Sequence, residues 1–298
     1  MIRDSMGDRV LTSLIYVFLT VLAFSTFYPF WNSLVISFNE GIDTSKGGIT
    51  FWPREFTLDN YKIVFEDSRL MNGFIIAALR TVIGTVSAIL ATSIFAFGMS
   101  KKELIGRKYY MIMCIITMYF HGGLIPTYML IRGLGLFNSF WVFIIPGLIS
   151  VWNMIIFRTF FHGLPQGLEE SAKIDGCGNW GTFFRIVLPL SGPVVATLSL
   201  FTAVAHWNEW FVASIYITNE NLLPIQTVLR QILFSNIASE QMSNIDVSSI
   251  AHLNAAKKIT SKSLTMATIM VATIPIVCVY PFLQKYFVKG VLIGSMKE

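Results

Sequence analysis

Trp207, Asn208, Glu209 and Trp210 stand consecutively, and their side chains are of the kinds that recognise sugars. Carboxylate and amide groups exchange hydrogen bonds with hydroxyls, while indole faces stack on the apolar CH faces of a sugar ring. Arg80 adds a guanidinium suited to pairing with Glu209 or to meeting an anionic sugar such as a uronate, and Asn153 beside Trp152 offers a further amide. Groups of catalytic type do not accompany them. The chain has no H-E-x-x-H sequence and no nucleophile elbow, and with no Gly-Lys dipeptide it has no P-loop to cradle ATP. Binding, rather than turnover, is the chemistry these residues offer.

A second polar cluster lies in GLEESAKIDGCGNWGTFFRIVLPLSGP at 167–193, where Glu169, Glu170, Lys173, Asp175 and Arg185 interrupt an otherwise apolar chain. Pro165 ends the preceding apolar block, and 166–175 reads as a short helix with Leu168, Ala172 and Asp175 along one flank. Gly176 is suited to a left-handed turn. Asn179 is placed to cap a second helix whose Phe183, Ile186 and Val187 share a stripe; Pro189 is expected to stop it, and Pro193 suits the first turn of the next helix. One reading is a hairpin lying on lipid headgroups. The other is a rigid lever for a partner.

The elements that position these residues follow from composition. Of 298 residues, 54% are hydrophobic and 13% charged, too apolar a balance for a soluble core and consistent with a bilayer as solvent. A span needs about 20 largely apolar residues, which predicts six, at 10–37, 72–99, 108–130, 138–161, 194–218 and 264–287, in one membrane domain covering 1–298. The first block shows no cleavage pattern and reads as a retained span. Arg3 and Arg9, then Lys101, Lys102, Arg107 and Lys108, then Arg158, Lys173 and Arg185, and finally Lys285, Lys289 and Lys297 all fall on one face. The bias of basic residues makes that face cytoplasmic, with both termini and the hairpin. This sorting also explains the net charge of +5 without a nucleic-acid partner. The opposite face receives 38–71, with a short helix expected from Thr57, and 219–263, with an apolar-periodic piece LLPIQTVLRQIL and a polar piece from Asn244 to Lys262. Cys114, Cys177 and Cys278 have no paired spacing, so neither a disulfide framework nor a metal site is indicated.

Arg80 and Glu209 lie inside predicted spans, where a charge costs about 2.5–3.5 kcal/mol on insertion scales and must face protein or water. Arg80, Gly84, Ala88, Thr92 and Ala96 form one i, i+4 row of mostly small residues, and Thr202, Ala205, Glu209 and Ala213 form a comparable row. Similar depth allows the two charges to pair. They either fix helix packing, or line a sugar path with Trp207, Asn208 and Trp210. Asn153 is expected to bond a neighbouring helix, His206 to be an interior residue, and Pro275 and Pro281 to bend the last span.

Glu170, Ala172, Asp175, Gly176, Ile186, Leu188 and Pro189, with Ser171 and Cys177 in place of two alanines, resemble the EAA loop of membrane subunits of bacterial ATP-binding cassette importers. FWPREFTLDNY at 51–61, HGGLIPTYMLIRGLGLFNSFW at 121–141, WNEWF at 207–211 and YPFLQKYFVKGVLIGSMK at 280–297 are similar to the carbohydrate branch of these permeases, nearest to its lipo-oligosaccharide or pectin-oligosaccharide group. The resemblance implies an all-α membrane protein of six transmembrane helices, like type I importer permeases, that is not an enzyme. It also implies that the loop, including Glu169, docks on an ATPase subunit. The implied partners are a second homologous permease subunit, two ATPase subunits that bind ATP and Mg, an extracellular solute-binding protein and an oligosaccharide. A carrier driven by an ion gradient through Glu209 or Arg80, a permease for a non-sugar solute, and a membrane-embedded enzyme or scaffold are the competing readings. The gradient-driven carrier has no need of a hairpin.

Overall fold

The structure, a computed structural model, describes residues 6–243 and 260–295. Arg3, Lys297 and most of the polar piece expected from Asn244 to Lys262 lie outside the described residues. The chain forms two compact units, the described parts of 1–68 with 229–273 and of 69–228 with 274–298.

In the first unit, α1 (Met6–Ser37) is long and apolar enough to cross a membrane, and most of its length is exposed, from Met6 through Phe30. Helices α2 (Gly41–Ser45) and α3 (Asp59–Glu66) follow. The helix expected from Thr57 starts two residues later, at Asp59, with Leu58 as its N-cap; the Thr57 hydroxyl still accepts from the amide of Asp59 at 3.1 Å, so it serves the first turn without being the cap residue. Buried Asn39 organises this segment. Its Oδ1 accepts from the amides of Arg54 (2.8 Å) and Glu55 (3.0 Å), and Asn60 donates to the carbonyls of Ser37 and Asn39, both at 2.9 Å. An irregular segment is thereby given the backbone partners a helix would have supplied.

The second unit begins at Arg69, one residue into α4 (Ser68–Ser100), an unbroken apolar helix. Its small-residue row is buried along its length: Arg80, Gly84, Ala88, Thr92 and Ala96 all face protein. Then come α5 (Arg107–Tyr119) and α6 (Leu124–Gly133), short turns at Phe140–Phe143 and Ile145–Gly147, and α7 (Val151–His162). The hairpin helices are α8 (Gln166–Ile174) and α9 (Asn179–Leu190), followed by α10 (Gly192–Asn208) and α11 (Phe211–Tyr216). Helices α12 (Ile225–Ser243) and α13 (Ser261–Ser295) belong partly to each unit. The LLPIQTVLRQIL piece supplies the start of α12, and Pro275 and Pro281 leave α13 one helix.

Three predicted spans are not single helices. The third, at 108–130, bends by 114° between α5 and α6, where Gly122 and Gly123 lower the cost of leaving the helix and Gly123 takes φ +91. The fourth, at 138–161, bends by 47° after Pro146 and Gly147. The fifth, at 194–218, is helical only to Asn208 and resumes at Phe211. By length and composition the described residues hold three helices able to cross a membrane, or up to six when three bent pairs each count as one span: α5 with α6, Phe140–Gly147 with α7, and α9 with α10, which meet at 81°. Broken helices inside a membrane expose backbone groups that must find partners. Two of those partners come from the buried row of α4: Thr92 accepts from the amide of Ser150 and donates to the carbonyl of Leu148, both at 3.2 Å, and Arg80 serves the break after Asn208.

Candidate functional site

Arg80 is 1% exposed, and its Nε donates to the carbonyl of His206 at 2.9 Å. Its Nη2 donates to the carbonyls of His206 and Glu209. These acceptors arise because α10 ends at Asn208 with no continuing turn to use them. One guanidinium therefore terminates a helix from another helix. Its Nη1 makes no hydrogen bond but lies 3.5 Å from Glu209 Oε2, and the guanidinium sits 4.9 Å from the centroid of the Phe143 ring. The expected pairing of Arg80 with Glu209 is present.

Glu209 does a second task. Its Oε1 accepts from the amides of Phe211 (2.7 Å) and Val212 (3.0 Å), two of the four orphan donors at the start of α11. The carboxylate thus caps the helix that follows the break while its other oxygen meets Arg80. The expected row of Thr202, Ala205, Glu209 and Ala213 is not one seam, because the helix ends before Glu209 and Ala205 is exposed. The close approach to α4 is made instead by His206, whose imidazole occupies the space a Cβ at Gly84 would need, with atoms 2.6–2.7 Å from that position.

Trp207 is 7% exposed and packs edge-on against Phe74, with ring centroids 5.6 Å apart. Asn208 is exposed, and its amide donates to the carbonyl of Val204 at 3.0 Å. Glu209 is 32% exposed at its side chain and Trp210 is half-buried, so Asn208, Glu209 and Trp210 present polar and aromatic surface at the break, while Arg80 and Trp207 hold it from behind. Asn153 lies apart from this group and donates to Thr202 Oγ1 at 3.4 Å, joining α7 to α10 as expected of an amide in an apolar helix.

The polar hairpin is ordered by local chemistry. Gly176 adopts φ +78, the amide of Cys177 donates to the carbonyl of Ala172 at 2.8 Å, and that of Gly176 donates to the carbonyl of Lys173 at 3.1 Å. This pair of bonds closes α8 on a left-handed glycine. The N-cap of α9 is Gly178, one residue before the expected Asn179. Its middle, Phe183–Val187, is a wider π turn that makes room for the Pro189 ring, so the helix runs on to Leu190 instead of stopping at Pro189. Phe183 and Val187, each 1% exposed, anchor α9 in a core with Phe97, Met154, Phe157, Phe161 and Leu198, and Ala172 at 5% anchors α8. Glu170, Ser171, Asp175 and Gly176 face outward, together with Ile174 (86%) and Trp180 (66%); Ile186 and Leu188 are half-buried. A rigid wedge with acidic and apolar groups on its free side is the result.

Electrostatics outside the apolar helices are local. The Asn39 amide, with Arg54 beside it, holds the Asp43 carboxyl below its usual range. The neighbouring Glu40 pushes Glu55 up, and Glu103 is held down by its own backbone amide with help from Lys173, Lys101 and Lys102. By sequence Lys101 is only one basic loop residue among several. In the structure it pairs with Glu169. A lysine directly after a long apolar helix and an acid in the hairpin are the available signal.

Comparison with known proteins agrees with this geometry. Residues 1–293 match the family described as binding-protein-dependent transport system inner membrane component. The polygalacturonan/rhamnogalacturonan transport system permease protein YtcP of Bacillus subtilis is 40% identical over 98% of this chain and 100% of its own length. A crystal structure of a bacterial ABC transporter involved in the import of the acidic polysaccharide alginate superposes with a TM-score of 0.86 at 25% identity, covering 96% of this chain and 100% of that one. The fold is also that of a bacterial alginate ABC transporter solved with an alginate pentasaccharide-bound periplasmic protein, with a TM-score of 0.55, 14% identity, and coverage of 93% and 94%. The chain defines a multi-helix membrane transport component with the type I importer permease fold. It belongs to the family of binding-protein-dependent transport system inner membrane components.

Proposed function

We propose that this chain is one permease subunit of an ATP-binding cassette importer for oligosaccharides of the acidic, uronate-containing kind, in a bacterial cell membrane with both termini on the cytoplasmic side. The relatives support the class of cargo: the one at 40% identity is a polygalacturonan/rhamnogalacturonan permease, and the solved transporter at a TM-score of 0.86 imports alginate. The observation that carries the coupling part is the hairpin, two short helices set by Gly176 with Glu170, Asp175 and Ile174 turned outward. A second homologous subunit completes the membrane path. Two ATPase subunits bind ATP and Mg, and their closure moves the hairpin. A solute-binding protein delivers sugar to the outer segments 38–71 and 219–263. The chain itself, in this reading, hydrolyses nothing. Asn208, Glu209 and Trp210 offer hydrogen bonds and an aromatic face to the passing sugar, and the buried guanidinium of Arg80 behind them favours a uronate over a neutral ring.

The test is Gly176→Val in the complete complex reconstituted in proteoliposomes. No atom lies within 4 Å of a Cβ added there, so the substitution acts through the backbone alone, where a β-branched residue is strained at φ +78. Sugar uptake and the hydrolysis stimulated by loaded binding protein are both expected to fall. Both remaining at wild-type level would sink the coupling reading, as would equal uptake by vesicles that lack the ATPase.

A further inference from the structure

The hairpin is held from its inner side by the end of α4, and this grip is built from more than one interaction. Lys101, the residue after α4, places its ammonium on Glu169 of α8 and 4.0 Å from the centroid of the Phe97 ring. Phe97 in turn lies 5.2 Å from Phe183 of α9 and 6.4 Å from Phe161 of α7, and all three rings are buried. The guanidinium of Arg158 on α7 donates through Nε to the carbonyl of Met99 at 3.1 Å, fixing the last turn of α4 beside them. Both arms of the hairpin are therefore fastened to one helix end, α8 through an ion pair and α9 through packed aromatics.

An exposed lysine–carboxylate pair is worth little, because water screens it and side-chain entropy opposes it. This pair differs. Lys101 and Glu169 are only 19% and 26% exposed at their side chains, and the ring beneath the ammonium adds a second attraction. A cation just past the C-terminus of a long helix also meets that helix's carbonyl end favourably. Glu170, Ser171 and Asp175 are exposed and take no part. The hairpin thus has an inner acid committed to its own subunit and an outer acid turned toward solvent.

We infer that Lys101 is a positioning residue for transport: through Glu169 and Phe97 it clamps the hairpin to α4, so that displacement of the hairpin becomes displacement of α4. From Ser100, next to Lys101, back to Arg80, α4 is unbroken, and at 1.5 Å per residue the distance is about 30 Å. Arg80 terminates α10 at the break that presents Asn208, Glu209 and Trp210. A rigid rod therefore joins the clamp at one end to the helix break at the other. The inference rests on the hairpin being the element an ATPase pushes.

The experiment compares Lys101→Glu, Glu169→Lys and the double exchange in the assembled, reconstituted complex, reading sugar imported per ATP hydrolysed. A contact that only stabilises the fold leaves that ratio alone, whereas loss of a clamp lets hydrolysis proceed without transport. Each single reversal is expected to lower the ratio about tenfold, and the double exchange to recover it to within about threefold of wild type, short of full recovery because a carboxylate then sits over Phe97. Ratios unchanged in the singles, or a double exchange no better than the singles, would overturn the assignment. Should the reversals fail to assemble, Lys101→Met and Glu169→Gln remove the pair without setting like charges together, and an unchanged ratio in both is the same refutation. Gly176→Val separates the two claims: uncoupling there with normal Lys101 variants discards the clamp alone, and normal transport in both discards the hairpin reading beneath it.

Discussion

Arg80 with Glu209 and Lys101 with Glu169 both join α4 to a later part of the chain, yet they are built in opposite ways. At the first, the guanidinium is 1% exposed and binds two main-chain carbonyls as well as a carboxylate, and the carboxylate itself caps a helix. The guanidinium and the carboxylate each have at least two partners. At the second, one ammonium meets one carboxylate over one ring, with both charges partly in water. The first arrangement replaces the backbone bonds lost at a helix break, so removing a member leaves buried groups orphaned. The second fastens two elements that are each complete without it, since α8 closes on Gly176 and α9 is anchored by Phe183 and Val187. One is needed to form the fold, the other to make it move as a unit.

The largest effect should come from Arg80→Met, which keeps much of the volume but abandons the carbonyls of His206 and Glu209 and the Glu209 charge. Each carbonyl left without its donor costs about 1–3 kcal/mol, and little assembled complex should survive, as read by size-exclusion yield and thermal unfolding in detergent. A variant as stable as wild type would show that the break after Asn208 sustains itself, and the contrast with Lys101 would vanish. Glu209→Gln should be milder. The amide oxygen still accepts from Phe211 and Val212, so the helix cap persists, and the loss should be about 1–2 kcal/mol from the weakened cap and the missing charge. With assembly intact, the uncompensated Arg80 should raise uptake of uronate-containing oligosaccharides relative to neutral ones. Failure to assemble would instead assign Glu209 to packing alone.

Much of this contrast is legible in the sequence. Charge inside apolar segments is so costly that Arg80 and Glu209 have to find partners, and similar depth on their spans makes each the natural choice for the other. Gly176 and the stripe of Phe183 and Val187 likewise announce the hairpin, because a left-handed turn and helical spacing are local properties. The break after Asn208 is not legible. Trp207 to Trp210 contains neither Gly nor Pro, and apolar residues continue on both sides of it; what ends the helix is a guanidinium 129 residues away in sequence. At 108–130 and 138–161 the breakers are visible, in Gly122, Gly123, Pro146 and Gly147, but a span defined by apolar length alone passes over them. Lys101 is hidden for a different reason. As a loop cation it is already accounted for by the orientation expected from basic loops, and nothing in the sequence separates a lysine that faces water from one that closes on Glu169.

The smallest expected effect, and the one that bears most directly on the difference between the two pairs, is that of salt. Raising ionic strength from about 0.1 M to about 1 M on the hairpin side shortens the screening length from about 10 Å to about 3 Å. A partly exposed pair feels this and a 1%-exposed guanidinium does not, so import per ATP should fall about twofold while the thermal unfolding contributed by the Arg80 knot stays put. The proposed docking of an ATPase on Glu170 and Asp175 would also respond to salt, which is why Lys101→Met is the necessary companion. In that variant the clamp is already absent, and only the docking contribution remains. The salt dependence of wild type should therefore exceed that of Lys101→Met. Equal slopes would mean that the ammonium on Glu169 transmits nothing, and that α4 and the hairpin are held together by the rings of Phe97 and Phe183 alone.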